Sequence, residues 1–281
     1  MTGIQPLPPS NGLPLLRTNA AHNRAAEQSQ EKLATGLRIN RGADDPAGLI
    51  SSENLRAALA VLDAESRALQ RGSSIASVID GALGEMANLA TRAESLVVAN
   101  ANSAGMSDAE REANQMELDS LLGSMNRIAN STSFNGTKLL DGSFTLQAGG
   151  NSVEIDSVTT SQLGSVETEN GTYNLNDLGS GGQLQITGEN LSDAGEMLKS
   201  ARDQINAERG RVGSFQQAVG AQINQIGAAM ESVASAESQI RDTDFARESS
   251  ENLRIRSLQD IAIHVLQAAN HDSRNVLNLL G

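Results

Sequence analysis

Few side chains in this sequence are suited to chemistry. His22, His264 and His271 are the only imidazoles, and there is no cysteine. A helical zinc-hydrolase site needs two histidines four residues apart, with a glutamate beside the first as base. None of the three histidines is followed by Glu, and all lie towards the chain ends. Without thiols there is neither a disulfide framework nor a sulfur metal site. The adjacent Asp44 and Asp45 are a second metal candidate, but Pro46 follows them directly. An Asp just before a Pro at the first helical position is a helix-start signal. The carboxylate accepts orphan amide hydrogens and the proline lacks one. Capping therefore accounts for the pair. No spacing joins a nucleophile to a base, so the sequence predicts no catalytic residue, no metal site and no cofactor. It does not read as an enzyme.

The acids are concentrated. Between Lys138 and Lys199 there is no Lys or Arg, while nine acids occur, from Asp141 to Glu196. Setting those nine aside leaves 25 acids against 21 bases, so the middle carries most of the net charge of −13. No Asp-x-Asp-x-Asp-Gly loop is present to suggest calcium. The stretch reads as a solvated, acidic surface module. Phosphate binding needs clustered Lys and Arg, which excludes nucleic acid as its partner. No segment approaches the roughly 20 apolar residues of a membrane span. The start of the chain has neither a basic nor an apolar signal-peptide region.

These features must be carried by mostly helical elements. Only four Phe and one Tyr occur, with no Trp. Thin helix-on-helix layers suit such a chain better than a thick aromatic core. The prolines of residues 6–14 predict an irregular arm, with the first helix running from Leu15 to Leu33. From Pro46 to about Asn100 a second helix carries Leu55, Leu62, Leu69, Ala76, Leu83, Ala90 and Val97 at intervals of seven, a coiled-coil seam. Gly72, Gly81 and Gly84 weaken it, each by up to about 1 kcal/mol relative to Ala. Ser107 and Glu110 form a capping box for a third helix that ends near Asn130.

Asn135-Gly136 and Asp141-Gly142 mark tight turns. The alternating runs Phe144–Leu146, Val153–Ile155 and Leu184–Ile186 read as strands, so 141–190 is a small β-rich insert. Ser192 is the predicted cap of a fourth helix. Its seam runs from Leu191 through Leu198, Ile205, Val212, Val219, Ile226 and Val233 to Ile240. A weaker stripe follows, with Leu258, Ile261 and Val265 on one face and Val276, Leu279 and Leu280 in a final turn. Such a stripe needs a partner to cover it.

Four motifs then resemble those of bacterial flagellins: Leu33-Ala-Thr-Gly-Leu-Arg-Ile-Asn40 with Ala43-Asp-Asp-Pro-Ala-Gly-Leu49; Phe134-Asn-Gly-Thr-Lys-Leu-Leu140; Ser238-Gln-Ile-Arg-Asp-Thr-Asp-Phe-Ala246; and Val276-Leu-Asn-Leu-Leu280. The resemblance covers the two ends and leaves the middle unmatched. It implies a mainly α fold: long antiparallel helices forming coiled-coil-like bundles from both chain ends, with the small β-rich insert between them. It implies five segments: 1–41, an arm and core helix; 42–140, the N-terminal half of the helical domain; 141–190, the acidic outer insert; 191–240, the C-terminal half; and 241–281, the C-terminal core helix. Asp44, Asp45, Pro46, Asp242 and Asp244 fall at the helix caps and linkers. The subunit interface falls at Leu258, Ile261, Val265, Val276, Leu279 and Leu280, on terminal segments that order only on assembly.

The function so implied is that of a structural subunit. It polymerises into the extracellular helical filament of the bacterial flagellum, for swimming motility. The alternative is a hook–filament junction protein, which shares the end signatures. The implied partners are other copies of the chain, the cap and hook-junction proteins, the flagellin export chaperone and the type III export apparatus, which secretes without a cleaved signal. Some flagellins carry a zinc protease in the middle, but no histidine lies in this insert. The family also implies recognition by the vertebrate Toll-like flagellin receptor through a pattern like Leu-Gln-Arg-Val-Arg-Glu-Leu. The matching stretch here is Leu89-Ala-Thr-Arg-Ala-Glu-Ser95, in which Thr91 and Ala93 replace the arginines and Ser95 the leucine. Weak recognition is the expectation. Part of 150–182 is expected to be removable without loss of filaments.

Overall fold

A computed structural model describes residues 12–102, 105–168, 171–187 and 191–280. The helices are α1 (Gly12–Thr35), α2 (Pro46–Ala101), α3 (Asp108–Ser131), α4 (Leu191–Arg241) and α5 (Phe245–Leu280). Short antiparallel pairs lie between α3 and α4: β1 (Ser133–Phe134) with β2 (Thr137–Lys138), β3 (Thr145–Ala148) with β4 (Asn151–Glu154), and β5 (Val166–Thr168) with β6 (Gly171–Tyr173). The fold is mainly α with a small β-rich middle. It divides into two compact units, residues 1–61 with 230–281 and residues 62–229. Helices α2 and α4 supply residues to each.

In the second unit the two heptad seams are the core. Leu69, Ala76, Leu83 and Ala90 of α2, and Leu198, Ile205, Val212 and Val219 of α4, are fully buried. Three side-chain pairs set the two helices antiparallel. They are Gln222 with Glu65 (3.3 Å), Arg209 with Asp80 (3.0 Å) and Arg202 with Glu94 (2.5 Å). Gly72 weakens the helix, yet a Cβ there would lie 2.6 Å from the Ala148 Cβ. The glycine lets the β3–β4 hairpin lie against α2, so its propensity cost is exchanged for packing. The Ser107–Glu110 capping box forms as the sequence predicts. The β1–β2 turn has Asn135 and Gly136 at φ 50° and 82°, the positive values that an Asn-Gly hairpin turn requires.

Four sequence expectations change. Residues 1–11 lie outside the described residues, and α1 begins at Gly12, not Leu15. Pro14 falls in its first turn, where a missing amide donor breaks no helical hydrogen bond. Ser192 lies inside α4, which starts at Leu191, so it is not the cap.

Leu184–Ile186 is not a strand, although Leu184 and Ile186 are buried. Its backbone bonds elsewhere. Leu184 N donates to Asp177 O at 3.1 Å, Ile186 N to Gln115 Oε1 at 2.9 Å, and Asn100 Nδ2 donates to Ile186 O at 3.2 Å. Side chains of α2 and α3 thus take the place of a neighbouring strand. The strands β5 and β6, which alternation did not reveal, form the last pair. The insert is also more than a surface module, because Ile155, Val158, Leu163, Leu175 and Leu178 are buried in the core of this unit.

Candidate functional site

The first unit is organised by its caps. Asp45 Oδ1 accepts from Gly48 N at 2.9 Å, which makes Asp45 the N-cap of α2 with Pro46 at the first helical position. Asp44 Oδ2 accepts from the backbone amides of Arg41 (2.9 Å) and Asn40 (3.0 Å), closing the turn before the helix. Those bonds, Arg41's first, hold the Asp44 carboxyl below its ordinary pKa. Asp244 Oδ1 accepts from Ala246 N and Arg247 N at the start of α5, and Asp242 Oδ2 accepts from Ser238 Oγ.

The two linkers pair with each other. Arg38 N donates to Arg241 O at 2.6 Å and Thr243 N donates to Gly36 O at 2.9 Å, around an antiparallel bridge between Leu37 and Asp242. Gly36 takes φ 73° to make the bend. Arg241 also reaches Glu53 at 2.8 Å. Of the four aspartates, Asp242 lies in the bridge itself, while Asp44, Asp45 and Asp244 bond locally in the turns and caps beside it.

Helices α1 and α5 leave the joint side by side. Asn252 Nδ2 donates to Ser29 Oγ at 3.2 Å and Gln259 Nε2 donates to Asn23 Oδ1 at 2.8 Å, so the two run antiparallel. Among the described residues, Ala26, Ser29, Asn252 and Ile255 are the buried members of the layer between them. Helical spacing puts Leu258, Ile261 and Val265 on one flank of that layer. Leu258 is half-buried, while Ile261 is 57% and Val265 44% exposed. Val276, Leu279 and Leu280 are helical, and their side chains lie outside the described residues.

Sequence periodicity overlooked Leu16, Ile50, Val61, Phe245, Leu253 and Ile263, all apolar and exposed. A wider apolar window than one face would have found them. Leu55, Leu59, Val233 and Ile240 of the heptad seams are only half-buried in this unit. Among its described residues, this unit shows more apolar surface than its own elements cover.

His22 is half-buried and His264 exposed, and the His271 side chain lies outside the described residues. Among the described residues no group of three or more His, Cys, Asp and Glu is placed to hold a metal ion. Among them, too, no helix is long and apolar enough to cross a membrane. In the second unit Thr91 and Ser95 are exposed and Ala93 is fully buried, while Arg92 is tied to Glu117 at 3.0 Å.

Two polar residues interrupt the α4 seam in the second unit. Glu208 and Gln222 occupy the row that holds Ala201 and Phe215, seven residues apart, and both meet the insert. Gln222 Oε1 accepts from Asn151 Nδ2 at 3.1 Å. Glu208 pairs with Arg211 at 3.1 Å, and the same Arg211 Nη1 bonds Asp156 at 2.9 Å. Burial pushes the Glu208 carboxyl above its ordinary pKa, against the pull of Arg211 and with Asp156 reinforcing it.

A raised folded-state pKa means that the folded chain holds this proton more tightly than the unfolded one. Ionised Glu208 therefore costs stability at neutral pH, and acidification through the raised pKa relieves the cost. Glu208→Gln should raise the melting temperature at neutral pH. The gain should shrink as the pH falls towards about 4, where the unfolded glutamate is itself protonated. Calorimetry across that range checks it, and equal shifts at both ends would contradict the assignment.

Residues 11–145 match the bacterial flagellin N-terminal helical region, and residues 196–280 match the bacterial flagellin C-terminal helical region. A flagellin of Bacillus subtilis is 31% identical over 93% of this chain and 94% of its own length. A flagellin of Halalkalibacterium halodurans is 33% identical over 90% and 91%. The crystal structure of Bacillus cereus flagellin overlays 57% of this chain and 88% of that one, at 23% identity and a TM-score of 0.45. These matches do not favour a hook–filament junction protein. Two unbroken family regions at the two ends, relatives aligned over nine-tenths of the chain and motifs that build the linker joint lead to one conclusion: the chain belongs to the bacterial flagellins, structural and non-enzymatic subunits that polymerise into the extracellular flagellar filament.

Proposed function

We propose that the chain polymerises through the apolar flanks of α1 and α5, with Leu258, Ile261, Val265, Val276, Leu279 and Leu280 as the central contacts between copies. The observation that carries this reading is the exposure of Ile261 and Val265 on α5, beside the layer that it forms with α1. Each aliphatic side chain gains about 1.5–3 kcal/mol on full burial, so a row of them repeated in every subunit suffices to drive assembly. Asp44, Asp45, Pro46, Asp242 and Asp244 hold the linkers that set the direction of the two terminal helices. In this reading segments 1–41 and 241–281 are the filament core, 42–140 and 191–240 the surrounding layer, and 141–190 the outer insert.

The flagellar cap and hook-junction proteins are then its end partners. An export chaperone and the type III apparatus deliver it. The exposed Thr91 and Ser95 support weak engagement of the vertebrate Toll-like flagellin receptor.

The polymer interface is tested by Ile261→Asp with Val265→Asp in the full chain. Seeded growth followed by electron microscopy should show no filaments, while circular dichroism keeps its helical signal because both positions are exposed in the monomer. Normal filaments from the double variant would refute the interface.

A further inference from the structure

Helix α5 does not meet α1 through its most apolar face. Asn252, Ile255, Gln259 and Ala262 follow one another at intervals of three and four, which stacks them on one side of α5. All four are buried or half-buried, so this is the side that faces α1. Two of the four are amides. Leu258, Ile261 and Val265 stand about 100° further round the helix. That row holds no amide, and its Ile261 and Val265 are exposed. Burial of apolar surface alone would seat α1 on the aliphatic row, because a buried aliphatic favours packing and a buried amide without a partner opposes it.

Polar partners on α1 account for the choice of side. Ser29 and Asn252 are 3% and 6% exposed, and Asn252 Nδ2 donates to Ser29 Oγ at 3.2 Å inside the layer. Two turns along, Gln259 Nε2 donates to Asn23 Oδ1 at 2.8 Å. Rolling α1 onto the aliphatic row would break both bonds. A buried polar pair between helices costs stability and in return selects one arrangement, as a single buried Asn does in a coiled coil.

We propose that Asn252 and Ser29, aided by Gln259 and Asn23, are positioning residues. They hold α1 on the polar side of α5 and so keep Leu258, Ile261 and Val265 free for a neighbouring copy. The last step rests on that row being the contact between copies.

The chain has no cysteine, so a single thiol on each flank of the α1-facing side is a clean reporter. Ile261→Cys and Ile263→Cys, at positions 57% and 45% exposed, are labelled separately with a maleimide in dilute monomer. In a Ser29→Ala, Asn252→Leu background α1 should roll onto the aliphatic row. The thiol at position 261 should then label about fivefold more slowly, a change within reach of one or two neutral hydrogen bonds. The thiol at position 263 should label no more slowly than before. Ser29→Ala alone should shift both rates in the same sense by less. The exchange Ser29→Asn with Asn252→Ser keeps a donor and an acceptor and should restore the original rates.

The proposal is overturned if the rate at position 261 does not fall, or if both thiols label faster, which would mean that α1 has come away from α5. Failure of the exchange to restore the rates also overturns it. Seeded filament growth separates it from the polymer interface. Slow labelling with impaired growth supports both, while slow labelling with normal growth supports the hold on α1 and refutes the aliphatic row as the contact between copies.

Discussion

Truncation after Asp244 abolishes filament growth and leaves a soluble helical monomer; that is the expected result of removing residues 245–281. The second unit carries its own core, with both heptad seams buried there, so it does not need α5 to fold. The first unit loses the layer between α1 and α5, to which Asn252 and Ile255 contribute. It also loses the exposed row at Ile261 and Val265 that the proposed interface requires. With several aliphatic contacts gone from every subunit, at about 1.5–3 kcal/mol each, nucleation and growth should both fail. Electron microscopy of a concentrated, seeded sample decides the point, and long filaments from the truncated chain would end the terminal-helix mechanism. The insert is not an inert counterpart to this experiment. Excising 150–182 would remove Ile155, Val158, Leu163, Leu175 and Leu178 from a buried position, so loss of filaments there would report misfolding.

What was legible in the sequence was local or periodic. The intervals of seven in α2 and α4 described the core of the second unit, because a strict heptad forces one face inwards. The caps at Asp45 and Ser107 were legible because a cap bonds amides two or three residues away. The missing parts depend on residues far apart in the chain. Alternation at Leu184-Gln-Ile186 signalled burial correctly, but the partner is the Gln115 amide and not a strand. Gly72 looked like a defect because Ala148, which needs its space, is 76 positions away. Pro14 was read as the end of an arm, although a first helical turn tolerates it.

The same reasoning explains what was missed at the candidate sites. Glu208 and Gln222 stand at seam positions between apolar residues, and a polar residue in such a row is a detectable signal. It marks where something other than the facing helix docks, here the insert through Asp156 and Asn151. Reading the seam only for its apolar members hid it. The exposed Phe245, Leu253 and Ile263 were hidden for the opposite reason. They do not share a face with Leu258, Ile261 and Val265, and a single-stripe pattern passes over residues meant for more than one neighbour.

Monomer of this chain should activate the vertebrate Toll-like flagellin receptor about thirtyfold more weakly than a stimulatory flagellin. The family pattern supplies an Arg and a Leu on one helical face, four residues apart, where the exposed Thr91 and Ser95 stand here. Neither offers a charge or an apolar anchor, and the Thr91 hydroxyl is already bonded to Ala87 O at 2.9 Å. Ala93 is fully buried, so nothing at that position reaches a partner. Arg92 does not compensate. One residue along a helix turns a side chain by about 100°, and its guanidinium is held by Glu117 at 3.0 Å.

Losing an arginine anchor and its apolar neighbour commonly costs about 2 kcal/mol or more, which gives the thirtyfold figure. Packing between helices constrains this face little, because Thr91 and Ser95 are both exposed in the monomer. A reporter-cell titration checks the prediction. Activation within about threefold of the stimulatory control would leave less than 1 kcal/mol to explain and would sink the argument. Thr91→Arg with Ser95→Leu should restore most of the response, because both new side chains would stand on the same outward face one helical turn apart.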